Sequence, residues 1–169
     1  MSQDGTVAII SREGASNRKN GIFILDVTNP YDVKVLSEYT KNLNGGVHNL
    51  FIDNDHAYVL GTGERYYILN IEDPTNPVEV GMFEVGKEGQ NIHDVWIEDG
   101  IAYSSNWRDG VYLVDVGNGI AGGSPSNPVP FSNYTYASGA NHAAFPFKSK
   151  STGTFYAVSY THLRAHETV

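Results

Sequence analysis

One short sequence recurs three times along this chain, and each copy carries a histidine at its start. The copies read VHNLFI at residues 47–52, IHDVWI at 92–97 and NHAAF at 141–145. Their histidines, His48, His93 and His142, stand 45 and 49 residues apart. Repeats of roughly 40–50 residues made of short strands are typical of β-propeller blades. The spacing therefore predicts an all-β fold, a β-propeller.

Each complete repeat predicts a sheet of four antiparallel strands. Runs rich in β-branched and aromatic residues alternate with turn signals such as DND at 53–55 and EDG at 98–100. Prolines separate the third run from the fourth, where they would block ladder pairing. The predicted strands lie at 47–52, 56–61, 65–71 and 78–85, and again at 92–97, 101–105, 110–116 and 129–136.

The repeats divide the chain into two complete blades and two partial ones. Their predicted boundaries lie near 1–46, 47–91, 92–140 and 141–158. A turn signal at Asp4 and Gly5 stands where the first two strands of a blade should meet. We therefore expect an incomplete β-propeller, an internal fragment of a longer protein.

The C-terminal segment is expected to lie outside the natural fold. Residues 158–168 resemble a translated sequencing-library adapter, and VSYTHLRAHE at 158–167 matches one reading frame of the transposon-end sequence. We interpret residues 159–169 as an adapter-derived tail. The alternative is an amphipathic tail in which His162 and His166 form a zinc-binding pair.

The charge of the chain limits its partners. It carries 11 basic and 19 acidic residues, for a net charge of −8, so it has no basic stripe with which to neutralise phosphates. No apolar run reaches the ~18 residues of a transmembrane helix. The chain contains no cysteine, which excludes disulfide and thiolate chemistry. We expect no nucleic-acid partner and no insertion of this segment into a membrane.

The third repeat carries an insertion at residues 117–126. It contains GNGIAG at 117–122, which has the form G-x-G-x-x-G of dinucleotide-binding proteins. That motif binds a pyrophosphate only where a helix begins directly after the glycines. Here SPSNP follows at 124–128 and cannot start a long helix. We interpret the insertion as a flexible loop.

Propeller geometry places the histidines together. The loop that leads into the inner strand of a blade lies on the same face as the loop between its second and third strands. His48, His93 and His142 stand at the starts of the inner strands, so we expect them to ring the mouth of the central channel. The loops at 11–20, 61–64 and 105–109 should share this face, and the insertion should lie opposite.

Two interpretations of these histidines stay open. Imidazoles that converge from adjacent blades predict a transition-metal site with His48, His93 and His142 as ligands. The alternative is structural, with each histidine bonded to a backbone carbonyl of the next blade. A transition metal is the one cofactor that the pattern indicates. The chain shows no G-x-S-x-G, H-E-x-x-H or P-loop motif.

A second group of candidates for ligand binding lies in the loops of the same face. Trp107 is an aromatic residue in a polar loop, flanked by Asn106 and Arg108, and Arg12 belongs to the neighbouring loop at 11–20. Aromatic and arginine side chains of this kind are enriched at contacts with ligands and partner proteins. The alternative is that the Trp107 ring caps the gap between two blades.

Two segments resemble a known repeat. ILDVTNP at 24–30 and ILNIEDPTNPV at 68–78 are similar to the LVIVD repeat, whose Leu/Ile-Val-Ile-Asp-Val core is followed by two polar residues, a proline and a second proline. The resemblance covers about residues 5–158. It implies a β-propeller of an exported prokaryotic protein, in an extracellular, periplasmic or cell-surface location. The third repeat departs from the pattern at Gly117 and Asn118.

Together these features favour a binding or scaffold module over an enzyme. The expected partner is a protein or a small-molecule ligand on the His-bearing face. The alternative is a metal-dependent enzyme with a histidine-ringed site at the channel mouth.

Overall fold

The computed structural model describes residues 1–15, 19–61, 63–86, 91–137 and 139–162. Over these ranges the chain forms thirteen β-strands and no helix, arranged in four antiparallel sheets. Two four-stranded sheets lie between a sheet of three strands and a sheet of two. This is the architecture of an incomplete β-propeller, so the predicted fold class is confirmed.

The strands pair in chain order within each sheet. Sheet 1 contains β1 (Val7–Arg12), β2 (Gly21–Asp26) and β3 (Lys34–Tyr39). Sheet 2 contains β4 (Val47–Asp53), β5 (His56–Gly61), β6 (Arg65–Asn70) and β7 (Val78–Glu84). Sheet 3 contains β8 (Asp94–Glu98), β9 (Ile101–Ser105), β10 (Val111–Asp115) and β11 (Val129–Tyr134). Sheet 4 contains β12 (Ala140–Lys148) and β13 (Phe155–His162).

These bounds agree with the predicted strands of the two complete repeats to within two residues at every end. The predicted hairpin turns are also present, with Asn54 and Asp99 in the left-handed region at φ 48° and 52°. Asparagine and aspartate adopt this conformation at lower cost than other side chains. The last strand, β13, includes residues 159–162, the beginning of the segment interpreted as adapter-derived. Residues 163–169, with His166, lie outside the described ranges.

Each sheet has a front face toward the next sheet of the chain and a back face toward the preceding one. The front of sheet 2 buries Tyr58 and Tyr66 against the back of sheet 3, which presents Val95 and Val114. The same alternation places Ile22 and Ile24 of sheet 1 against Val47, Val59 and Leu69 of sheet 2. Burial on both faces explains the nearly continuous apolar runs of β5 and β6.

The insertion at 117–126 folds around the buried carboxylate of Asp115, the last residue of β10. The backbone N–H groups of Gly117, Gly119, Ala121 and Gly123 donate to its two oxygens at 2.7–3.1 Å. The absence of a helix after the glycines agrees with the prediction. The loop differs from the freely flexible one expected, because these four bonds hold it to the sheet.

The same insertion connects sheet 3 to sheet 2. A Cβ added to Gly81 of β7 would lie 2.2 Å from the carbonyl oxygen of Pro125, so the contact requires glycine. One sheet earlier, the hydroxyl of Ser37 in β3 donates to the carbonyl of Pro74 at 2.6 Å. In both cases the loop between the third and fourth strands contacts the outer part of the preceding sheet.

Candidate functional site

The three repeated histidines meet at one place in the structure. The ring centroids of His48 and His93 lie 4.6 Å apart, and those of His93 and His142 lie 4.1 Å apart. His48 is the second residue of β4, His93 directly precedes β8, and His142 is the third residue of β12. Equivalent positions in three successive sheets therefore bring the three imidazoles into contact.

Hydrogen bonds fix the orientation of two of these rings. Nδ1 of His93 lies 3.1 Å from the carbonyl oxygen of His142. A carbonyl only accepts, so this nitrogen carries the proton. His93 thus bonds a backbone carbonyl of the next sheet, which is the structural role considered as an alternative. Nδ1 of His48 lies 2.7 Å from a carboxylate oxygen of Glu13, a residue of the first repeat.

Ring contact alone does not make a metal centre. Within the described ranges, no group of three or more His, Cys, Asp or Glu side chains has an arrangement that could hold a metal ion. The assignment of His48, His93 and His142 as metal ligands stays a prediction. Of the excluded tail pair, the side chain of His162 and the whole of His166 lie outside the described part of the chain.

A half-buried carboxylate lies next to the histidines. Asp94 accepts hydrogen bonds from the side-chain amide of Asn49 and from the backbone N–H of Val95. Burial raises the pKa of Asp94, and these two bonds and the nearby imidazoles of His142 and His48 only partly oppose the rise. Asn49 and Asp94 directly follow His48 and His93. The position after the histidine therefore also connects neighbouring sheets, through the hydrogen bond from Asn49 to Asp94.

Trp107 covers part of this cluster. Its indole stacks on His93 with ring centroids 4.8 Å apart and an interplanar angle of 23°. Its carbonyl accepts a hydrogen bond of 2.7 Å from the backbone N–H of Asn141 in sheet 4. Trp107 therefore contacts sheet 3 through its ring and sheet 4 through its backbone, and capping of the gap by its ring stays a prediction. Its backbone is in the left-handed region at φ 47°, which is rare for a bulky residue.

The other predicted ligand contacts lie elsewhere. Arg12 ends β1, where its guanidinium pairs with Glu38 and lies 4.3 Å from the ring centroid of Phe23. Asn106 is fully buried, and its amide donates to the carbonyl of Ser104 at 2.8 Å. Arg108 is exposed to solvent. None of these three residues lines the cleft described next.

An open cleft of about 380 Å³ lies beside the histidine cluster. Its walls come from loops of three successive repeats and combine a carboxylate, imidazoles, an indole and backbone. The lining residues are Glu13, His48, Gly61, Gly63, Asn91, Ile92, His93 and Trp107. The sequence singled out His48, His93 and Trp107 but missed Glu13 and Asn91. Glu13 lies in the loop at 11–20 that was predicted to lie at the channel mouth, and this was the signal from which it could have been found. Residues 16–18 of that loop and residue 62 of the loop at 61–64 lie outside the described ranges.

A second tier of aromatic side chains follows the histidines at a fixed spacing. Phe51, Trp96 and Phe145 each stand three residues after the histidine of their repeat. Their ring centroids lie 4.9 Å apart from Phe51 to Trp96 and 6.2 Å apart from Trp96 to Phe145. The inner strands therefore carry two parallel rows of rings, one polar and one apolar.

Several buried polar atoms next to Trp107 have no hydrogen-bond partner among the described residues. They are Ser105 Oγ, Asn106 Oδ1 and Asn141 Oδ1. A buried polar atom gains free energy when it is paired, and native structures pair nearly all of them. All three can accept a hydrogen bond, but none of these residues lines the cleft.

Comparison of the chain with models of known protein families and with curated proteins finds no match. Within the described residues, no helix has the length and apolar character needed to cross a membrane.

Proposed function

We propose that this chain is a ligand-binding module whose site is the cleft lined by Glu13, His48, His93 and Trp107. The observation that carries the proposal is the convergence of three successive repeats on one open cleft of about 380 Å³. That volume falls in the range of roughly 300–1,000 Å³ typical of small-molecule sites. The hydrogen bonds from His48 to the Glu13 carboxylate and from His93 to the His142 carbonyl hold the walls in place across the sheets.

The ligand is a small polar molecule rich in hydrogen-bond donors, carrying hydroxyl or ammonium groups. Glu13 offers a carboxylate whose side chain stays 59 % exposed while it bonds His48. The Trp107 ring adds a flat apolar surface against which a sugar ring or an aliphatic amine can pack.

The location proposed for the protein is the outside of a prokaryotic cell, in secreted, periplasmic or surface-attached form. This part of the proposal rests on the LVIVD-like segments at 24–30 and 68–78. The module there would serve as a binding or scaffold unit.

Tryptophan fluorescence tests the cleft directly. Trp96→Phe leaves Trp107 as the only tryptophan, because the chain has two. We expect a saturable change in its emission with a hexose or with ethanolamine, and none with inorganic phosphate. Glu13→Gln should weaken binding about tenfold or more, the usual cost of losing a charged hydrogen bond. Glu84→Gln, which removes a carboxylate paired with Arg65 on sheet 2, is the matched control.

Either of two results would reject the cleft as the binding site. The first is no saturable response to the hexose or the amine. The second is equal weakening by Glu13→Gln and Glu84→Gln, which would point to a general effect of charge.

A second candidate function is a metal-dependent enzyme with His48, His93 and His142 as ligands. The observation in its favour is that Nδ1 of His48 and of His93 is held by a carboxylate and by a backbone carbonyl, as is usual for metal-bound histidines. A Co²⁺ titration followed by visible absorption separates the candidates. Stoichiometric Co²⁺ binding that is lost in His93→Ala and kept in His56→Ala would support the metal-dependent enzyme. If the protein does not bind Co²⁺, this candidate function is rejected.

A further inference from the structure

The inner strands of sheets 2 and 3 carry a carboxylate beside each ring of the aromatic row. Asp53 follows Phe51 by two residues, and Glu98 follows Trp96 by two residues. Side chains two positions apart in a strand lie on the same face of the sheet. These carboxylates stand at the hairpin turns, at the end of the strands away from the histidines. The repeat therefore combines rings and negative charge at a second place, distinct from the cleft.

The indole of Trp96 is accessible although strands lie on both sides of it. Strand β8 contacts the inner strands β4 and β12, and the Trp96 ring centroid lies 4.9 Å from that of Phe51 and 6.2 Å from that of Phe145. The residue is nevertheless 41 % exposed. Its Nε1–H donates to Oε2 of Glu98 at 3.2 Å. This hydrogen bond holds an accessible aromatic face next to a negative charge.

The hairpin turns at this end of sheets 2 and 3 make the surroundings negative. Residues 53–55 and 98–100 contain four carboxylates and no lysine or arginine. Burial raises the pKa of Asp53, the charge of Asp99 adds to the rise, and the imidazole of His56 only partly opposes it. Carboxylates of the two neighbouring sheets are therefore close enough to repel each other. A cation bound here reduces this repulsion and also meets an aromatic face.

The chain already holds one cation between a ring and a carboxylate. The guanidinium carbon of Arg12 lies 4.3 Å from the ring centroid of Phe23, and the same guanidinium pairs with Glu38. Guanidinium suits such a place better than ammonium, because its plane stacks on a ring while its N–H groups donate to a carboxylate. Trp96 and Glu98 offer the same two partners, and tryptophan is the ring that attracts cations most strongly.

We propose that Trp96 and Glu98 bind an arginine side chain of a partner protein, with Phe51 and Asp53 at the edge of the site. Within the described part of the chain, no lysine or arginine pairs with Trp96 or Glu98. The net charge of −8 favours the approach of a basic segment. Tryptophan and arginine are also the residues that most often dominate binding at protein interfaces. The site lies at the opposite end of the inner strands from the cleft and does not depend on the proposed small-molecule ligand.

Titration of protein labelled with ¹⁵N at tryptophan tests the site directly. The chain has two tryptophans and therefore two indole N–H signals, which Trp96→Phe assigns by removing one. The probe is a blocked Gly-Arg-Gly peptide, and its matched control carries citrulline, in which a neutral urea replaces the guanidinium. We expect a saturable shift of the Trp96 signal with arginine and none with citrulline. The Trp107 signal reports on the cleft in the same sample, so the two proposed sites are measured separately.

A pair of charge variants tests the role of the carboxylate. Glu98→Gln should weaken binding of the arginine peptide about threefold, the size expected for a solvent-exposed ion pair. Glu72→Gln should leave it unchanged, because it removes an exposed carboxylate from the loop after β6, at the same end of sheet 2.

Three results would overturn the proposal. They are a Trp96 signal that does not shift, an equal shift with citrulline, and equal weakening by Glu98→Gln and Glu72→Gln. The last result would mean that the peptide responds only to the overall negative charge of this end of the sheets. The comparison of arginine with citrulline uses the unmodified chain, so it decides the question even if Glu98→Gln does not fold.

Discussion

At the scale of single residues, two groups beside the histidine cluster are held in costly states. Trp107 keeps a left-handed backbone at φ 47°, although its side chain is large. Asp94 keeps a half-buried carboxylate whose pKa is raised by burial. Strained backbone and perturbed ionisation cluster at functional sites, because the surrounding structure must compensate for them. Trp107 stacks on His93 and lines the cleft, and the charge of Asp94 interacts with His142 and His48, so both residues adjoin the proposed ligand site.

The backbone strain at Trp107 can be separated from the loss of its ring. Trp107→Ala and Trp107→Gly both remove the contact with His93, but only glycine also relieves the left-handed conformation. We expect Trp107→Gly to be more stable than Trp107→Ala by about 1 kcal/mol in denaturant unfolding. At Trp96, inside strand β8, the order should reverse, because glycine in a strand is less stable than alanine. The same order at both positions would contradict the strained turn.

The carboxylate of Asp94 should reduce stability at neutral pH. Burial raises the folded pKa of Asp94 above the unfolded value. Between these two pH values the folded state holds more protons than the unfolded state, so stability falls as pH rises through this window. Asp94→Asn keeps an oxygen that can accept from Val95 and removes the charge. We expect a higher melting temperature for this variant at pH 7, and a smaller difference below the unfolded pKa of about 3.9.

The control for this experiment is Asp55→Asn, at an exposed position in the first hairpin turn of sheet 2. It should leave the melting temperature unchanged at both pH values. A lower melting temperature for Asp94→Asn at pH 7 would show that the ionised carboxylate stabilises the fold.

The sequence predicted the meeting of the histidines because one register position recurs in three repeats. It did not predict the partner of His48, since the hydrogen bond to the Glu13 carboxylate depends on the path of the loop after β1. Arg12 was assigned to the same loop and to the ligand site. The structure extends β1 through Arg12, and the guanidinium then packs on Phe23 beside Glu38. The prediction placed residues 11 and 12 in the loop, whereas the structure places both in β1.

At the scale of elements, strands were predictable and their cross-sheet contacts were not. The bounds of β4 to β11 follow from apolar runs and turn residues, which are local signals. The contacts of Ser37 with Pro74 and of Gly81 with Pro125 join residues of different repeats. Such contacts depend on how neighbouring sheets pack, so local patterns carry no signal for them. The sequence also did not predict that the insertion is held around Asp115. The backbone N–H groups that bind this carboxylate come together only in the folded loop.

The insertion makes the stability of sheet 3 sensitive to acid. Burial alone would raise the pKa of Asp115, but the N–H donors of Ala121, Gly117, Gly123 and Gly119 outweigh it and hold the pKa below its ordinary value. A lowered folded pKa contributes stability above the unfolded value of about 3.9, and this contribution is lost as pH falls further. Asp115→Asn should therefore melt at a lower temperature at pH 7.

The difference between Asp115→Asn and the unmodified chain should narrow as pH falls below the unfolded value. Thermal unfolding followed by circular dichroism at several pH values measures it. A constant difference across this range would show that the carboxylate charge does not organise the loop.

Substitution of Gly81 by alanine tests whether the contact between the insertion and sheet 2 constrains the fold. An alanine there would place its Cβ about 2.2 Å from the carbonyl oxygen of Pro125, so the loop or the strand must move. We expect Gly81→Ala to cost ~1–3 kcal/mol of unfolding free energy, as overpacking does elsewhere. Gly14→Ala is the matched control, because no atom lies within 4 Å of its added Cβ. Equal effects of the two changes would mean that the contact does not constrain the fold.

At the scale of the whole molecule, one repeated pattern explains both the core and the exposed surface. Aromatic side chains on the front of sheet 2 and aliphatic side chains on the back of sheet 3 bury each other, and further apolar side chains of sheets 1 and 4 are exposed among the described residues. The sequence predicted the number and order of these sheets from its 45- and 49-residue spacing. It did not predict which side chains would stay exposed, because that depends on which faces find a neighbour.

The central claim is that successive repeats fold into successive sheets and so place three equivalent imidazoles in contact. Nuclear Overhauser effects between histidine ring protons test it most directly, in protein labelled only at histidine. The account predicts cross-peaks from His48 to His93 and from His93 to His142, with none from His56 to any of the three. They should disappear in His93→Ala while the His56 signals stay unchanged. Well-resolved ring signals without these cross-peaks, in a protein that melts cooperatively, would contradict it.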